Sequence, residues 1–116
     1  MSAEIDLEFD VDELSMVFGE PTAASDVDRQ YFWFTYEGHP GRSVTLVVSK
    51  YQRRVGVVVR DGTSALSAGL EMADFVRVLE VDRRTLEVVS EEFKTRFFMS
   101  LDGESVLDVS VGETAS

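Results

Sequence analysis

Ser43-Val44-Thr45-Leu46-Val47-Val48-Ser49, the four residues Lys50-Tyr51-Gln52-Arg53, and Val55-Gly56-Val57-Val58-Val59-Arg60 are the stretch on which the fold turns. In the first run Val44, Leu46 and Val48 share one parity against Thr45 and Val47, the period of two that a half-buried strand requires. Lys50 to Arg53 reads as a hairpin tip that carries the chain into the second run. Asp61-Gly62 is then a turn signal of the type I′ kind, and Asp102-Gly103 repeats it later. Past the first turn, Leu66, Ala68, Leu70 and Met72 alternate with Ser67, Gly69 and Glu71, which is a strand again. Residues 72–80 fit two patterns. Met72, Phe75, Val76 and Leu79 share a helical face, but Val76, Val78 and Val81 favour a strand by residue type, and strand is the reading adopted. Thr85 to Ser90, Phe93 to Leu101 and Glu104 to Val111 continue the series, and residues 112–116 are expected to fray.

Upstream of the same stretch, Gly38-His39-Pro40-Gly41 makes a turn, and before it Gln30 to Glu37 holds Tyr31, Phe32, Trp33, Phe34 and Tyr36. Aromatic residues on both parities predict a strand covered on both sides. Either both faces are internal, or one face is a surface for a partner or ligand. Thr22 to Asp28, small and polar, is a loop. Before it lies a short helix: Asp10 stands at the N-cap with Glu13 three residues on, and Phe9 and Leu14 hold the positions of a hydrophobic staple. Val11, Leu14, Val17 and Phe18 share its apolar face, and Gly19 with Glu20-Pro21 ends it. Earlier still, Ile5, Leu7, Phe9 and Val11 alternate with Glu4, Asp6, Glu8, Asp10 and Asp12, so an acidic strand is expected to lead into the helix.

The fold class is therefore α+β, mainly an antiparallel β meander of about seven to eight short strands with one short N-terminal helix covering a sheet face. One domain spans 1–116: an acidic strand, helix and loop over 1–28, the antiparallel sheet over 29–111, and a frayed tail.

The chain has 116 residues, 22 acids against 11 bases, no cysteine and a single histidine. Thiolate chemistry, zinc fingers and iron–sulfur ligation need ligands it lacks. His39 is the one side chain that titrates near neutrality, and it sits in a turn. No phosphate-binding loop, dinucleotide turn or metal-ligand motif occurs, so no cofactor and no metal is implied, and the sequence points away from an enzyme. No apolar run approaches the roughly 20 residues needed to span a bilayer, nor does the start resemble a secretory signal; cytoplasm is the expected compartment.

The charge of −11 is not spread evenly. Residues 1–28 hold nine acids and no base, or −9, and the other 88 residues hold 13 acids and 11 bases, or −2. From Gly38 to Arg60 the balance reverses, with five bases and no acid. The candidate partner-binding residues are accordingly Glu4, Asp6, Glu8, Asp12 and Glu13, with Tyr31 and Trp33 as aromatic anchors. This face suits a basic protein, since concentrated charge speeds encounter with an opposite surface, and an inhibitor or immunity-type role is its most concrete form. The structural alternative is that the acids protect a strand edge and complement the helix dipole. Lys50, Arg53 and Arg54 form a weaker anion-binding candidate, although a net −11 opposes the approach of nucleic acid. A second functional reading is a small-ligand module or small enzyme with an aromatic-lined pocket between the Tyr31 to Tyr36 strand and the Phe97, Phe98, Met99 strand. A homodimer through sheet edges or the aromatic face is a third.

Overall fold

In the computed structural model, which describes residues 7–21, 23–24, 31–103 and 106–111, helix α1 (Val11–Phe18) begins where the sequence places its cap. Asp10 Oδ1 accepts from the backbone N–H groups of Asp12 at 2.9 Å and Glu13 at 3.3 Å, satisfying two donors that have no partner inside the helix. The helix stops at Gly19, whose φ of 93° and ψ of −178° lie in a region that only glycine enters cheaply. Its N–H returns to Ser15 O at 2.8 Å.

Among the described residues nine strands follow: β1 (Ala23–Ala24), β2 (Tyr31–His39), β3 (Arg42–Ser49), β4 (Arg54–Asp61), β5 (Ser64–Leu70), β6 (Phe75–Glu80), β7 (Thr85–Ser90), β8 (Thr95–Ser100) and β9 (Leu107–Val111). All neighbouring strands are antiparallel, but they form two sheets, β1-β2-β3-β4-β5 and β6-β7-β8-β9, not the single meander expected. The ambiguous stretch resolves as the strand β6.

The break falls between Leu70 and Phe75, and its cause is local. Met72 adopts a left-handed φ of 55°, which turns the chain out of the first sheet. Ala73 N–H then donates to Arg53 O at 2.9 Å and Asp74 N–H to Val89 O at 2.7 Å, so consecutive residues bond to different sheets. Arg53 fastens the same corner, donating through Nε to Ala73 O at 3.1 Å and through Nη2 to Asp74 Oδ1 at 2.8 Å. The other Asp74 oxygen accepts the Glu91 N–H at 2.6 Å.

One apolar core joins both sheets and the helix. From the first sheet it takes Phe34, Val44, Leu46, Val48, Val55 and Val57, from the second Val76, Leu86, Val88, Phe97 and Met99, and from α1 Leu14, Val17 and Phe18. Each such side chain contributes about 1.5–3 kcal/mol of burial. The helix contributes to that core from beside the strands. It packs against β2 and β6, with Phe18 5.7 Å from Phe34 and Leu14, Val17 and Phe18 buried along one stripe.

The expected acidic strand is reduced. Residues 4–6 lie outside the described residues, and Leu7 to Asp10 form one parallel bridge, Glu8 to Phe75, in place of a strand. Glu8 N–H donates to Asp74 O at 3.0 Å and Val76 N–H to Glu8 O at 2.9 Å, covering part of the β6 edge.

Candidate functional site

The bridge and the helix cap together set the geometry of the acidic segment. Glu8 is held beside β6 by its two backbone hydrogen bonds, the exposed Asp10 caps α1, and Glu13 follows in the first helical turn. Glu8, Asp10 and Glu13 consequently border an open groove of about 660 Å³ whose remaining lining is Phe9, Val11, Phe75, Val76 and Arg77. Carboxylates rim an apolar floor, an arrangement suited to a long cationic side chain whose stem is apolar and whose head is charged. Asp12 is exposed on the helix outside this lining, and Glu4 and Asp6 lie outside the described residues.

Among the described residues the bases that form ion pairs form them elsewhere, Arg77 included although it lines the same groove. Arg53 pairs with Asp74, Arg54 with Glu71 at 3.6 Å, Arg84 with Asp102 at 3.7 Å, and Arg77 and Arg96 with Glu87. Among the described residues Glu8, Asp12 and Glu13 make no ion pair.

Tyr31 and Trp33 stand elsewhere. Their rings stack at 5.8 Å on the outer face of the first sheet, while Phe32 and Phe34 of the same strand point inward and Phe32 meets Phe9 at 5.7 Å. Both parities of the aromatic strand are thus at least half covered. Tyr31 borders a second open trough of about 480 Å³ with Arg54, Val47 and the cross-strand pair Gly56 and Gly69, where the missing side chains lower the sheet surface. The expected anchors and the acidic rim are two surfaces, not one.

The basic hairpin tip is divided as well. Lys50 lies 5.7 Å from the Tyr51 ring and its carbonyl accepts Leu7 N–H, whereas Arg53, at φ 55°, is consumed by the corner between the sheets. Arg54 remains exposed beside Glu71. Phe97 and Met99 sit in the common core with Phe34, so these three fill the space in which the ligand-pocket reading needed a cavity.

The groups with displaced titration are structural. Glu87, 6% exposed on the outer face of β7, is discouraged from ionising by burial, but hydrogen bonds and charge from Arg77 and Arg96 outweigh this and hold its carboxyl below the usual range. Arg96 Nε donates to it at 2.6 Å and Arg77 Nε at 3.0 Å, each guanidinium also covering a ring, Phe98 and Phe75. Tyr36 is raised above its ordinary value by donating its hydroxyl to Asp102 at 2.6 Å, with burial adding to the effect.

Sequence reasoning missed Phe75 and Arg77 as lining, because they reach the rim from some 65 residues along the chain. The glycine trough was not legible either: the expected Asp61-Gly62 turn would set Gly56 against Ser67, whereas β4 runs on to Asp61 and the turn falls one residue later, at Gly62 and Thr63, which brings Gly56 opposite Gly69.

No protein-family model and no curated protein sequence matches the chain. Among solved structures, a chain of the contact-dependent growth inhibition toxin–immunity protein complex from Klebsiella pneumoniae 342 is similar, with a TM-score of 0.66 over 96% of this chain and 98% of that one. Sequence identity between them is 13%, so what the two share is the fold.

Proposed function

We propose that the protein is a binding protein of the inhibitor or immunity type that docks a basic protein partner against the acidic rim of the α1–β6 groove. The observation that carries this reading is the rim itself: Glu8, Asp12 and Glu13 keep exposed charge with no ion pair among the described residues, two of them above an apolar floor. Uncompensated charge beside apolar surface favours a partner that brings cations. Glu4 and Asp6 extend the same charge in sequence. The likeness to a chain from a toxin–immunity complex supports a protein partner, and the packing of Phe34, Phe97 and Met99 favours binding at the surface over binding in an internal pocket.

The products of genes flanking this chain's own are the partners to test, by co-purification followed by stopped-flow association at rising salt. The reading expects a one-to-one complex whose association rate falls at least about tenfold between low and high ionic strength. It also expects the triple change Glu8→Gln, Asp12→Asn, Glu13→Gln to slow association at low salt. A rate indifferent to both salt and the triple change would overturn it.

A further inference from the structure

We infer that strand β5 pairs with β5 of a second copy of this chain, joining two first sheets into one continuous ten-stranded sheet across a twofold axis at Ser67. The inference is independent of the acidic rim. β5 is the free edge of its sheet and runs seven residues, Ser64-Ala65-Leu66-Ser67-Ala68-Gly69-Leu70, without a charge or a proline. An uncharged, unpaired edge presents a row of N–H and C=O groups to any strand that fits it, and proteins ordinarily blunt such edges with lysine, proline or a bulge. None of these stands in β5, and its pairing with β4 is regular from Val55–Leu70 to Asp61–Ser64.

The strand complements itself. Antiparallel pairing centred on Ser67 sets Ser64 against Leu70 and Leu66 against Ala68 on the core side, and Ala65 against Gly69 and Ser67 against Ser67 on the outer side. A twofold contact requires this reciprocity, and no like charges face one another in it. The side-chain parities also agree: Leu70 is buried and Ala68 half-buried on the face that turns toward the core, so the joined sheets keep one inner face.

Two further observations favour a second copy over a charged partner. Leu66 is 55% exposed, and next to this edge a groove whose lining is apolar apart from Glu71 and Thr95 leaves Phe93 52% and Val109 46% exposed; a second molecule joined at β5 lies beside this margin. Of the total charge of −11, −9 lies in residues 1–28, while the charges beside this edge are balanced, Arg54 against Glu71 and Arg60 next to Asp61 at the end of β4. Two acidic molecules therefore meet here away from their densest charge.

The test uses the full chain in sedimentation velocity from about 1 to 100 µM, where mass action should fill a dimer. The chain has no cysteine, so Ser67→Cys introduces a single thiol that faces its own mate across the axis. That variant is expected to form a disulfide-linked dimer under mild oxidation. Ser64→Cys, whose mate would stand roughly 20 Å away in this register, is expected to stay unlinked. Ser67→Glu, an exposed change on the outer face, should leave the thermal melt of the dilute, monomeric chain unchanged and weaken dimerisation at least about tenfold by setting two carboxylates opposite each other. A chain that sediments as a monomer throughout overturns the inference. So does a dimer that ignores Ser67→Glu and gives no link at Ser67→Cys. If the free chain is monomeric and Ser67→Glu weakens a flanking-gene partner instead, that partner's strand occupies the edge and the twofold is refuted.

Discussion

Replacing Glu87 by Gln tests whether the outer face of the second sheet is held by charge. The Glu87 side chain is 7% exposed and accepts from Arg77 on β6 and Arg96 on β8, strands that flank it in register at Arg77–Glu87 and, one step diagonally, at Arg96. Hydrogen bonds to a charged group contribute about 1.5–3 kcal/mol each. The Arg77 and Arg96 side chains, however, are 59% and 36% exposed, so water recovers much of what they lose and the total is reduced to about 2 kcal/mol. For a domain of this size that lowers the melting temperature by roughly 8 °C. The effect has a definite pH dependence. The folded-state pKa of Glu87 lies below its ordinary value, so its stabilisation is complete above the unfolded carboxyl's value of about 4.3 and is lost as pH falls through the folded value. Thermal melts of the two proteins should therefore be well separated at neutral pH and converge in acid, where the wild-type carboxyl is protonated and resembles the amide. A gap under about 1 °C at neutral pH, or a gap that persists unchanged in acid, would refute the argument.

Asp74→Ala removes the acceptor of both Arg53 and the Glu91 N–H, and should cost about 2 kcal/mol in urea unfolding while exposing the Glu91 amide to faster hydrogen exchange. Gly19→Ala meets nothing within 4 Å, so any loss is purely one of backbone conformation at φ 93°; about 1–3 kcal/mol is expected in the same assay, with no change in its denaturant dependence.

What could be read from the chain was whatever depends on near neighbours. Asp10 and Gly19 announce both ends of α1 because capping is settled within four residues, and Thr85 to Ser90 is bounded as expected because alternation and turn residues agree there. The division into two sheets could not be read, since it rests on the left-handed turn at Met72 and on the hold of Arg53 on Asp74, 21 residues away. Composition shows how many cations lie in 38–60 but not which acids claim them. Arg53 therefore looked available for an anion and is instead a tie between sheets. Glu87 misleads in the opposite way: opposite Leu86 and Val88 it reads as a solvent-facing residue, and its burial follows only once Arg77 and Arg96 are placed on the flanking strands.

The distribution of charge across the edges bears on why the N-terminal acids are there. If their purpose were to keep exposed strands from pairing, charge should follow edge exposure. Between β6 and β5 it runs the other way. The β6 edge is already partly occupied by the backbone of Leu7 and Glu8, yet the acids gather there, while β5, a seven-residue free edge, carries none. The helix dipole accounts for Asp12 and Glu13 in the first turn of α1 but not for Glu8, which precedes the helix and borders the same groove as Glu13. Edge protection and dipole compensation thus each explain part of the pattern and neither explains the rim. A charged surface reserved for a basic partner and a neutral edge reserved for a second copy explain both the presence of charge in one place and its absence in the other, and because the two surfaces share no residue, each can be abolished while the other is retained.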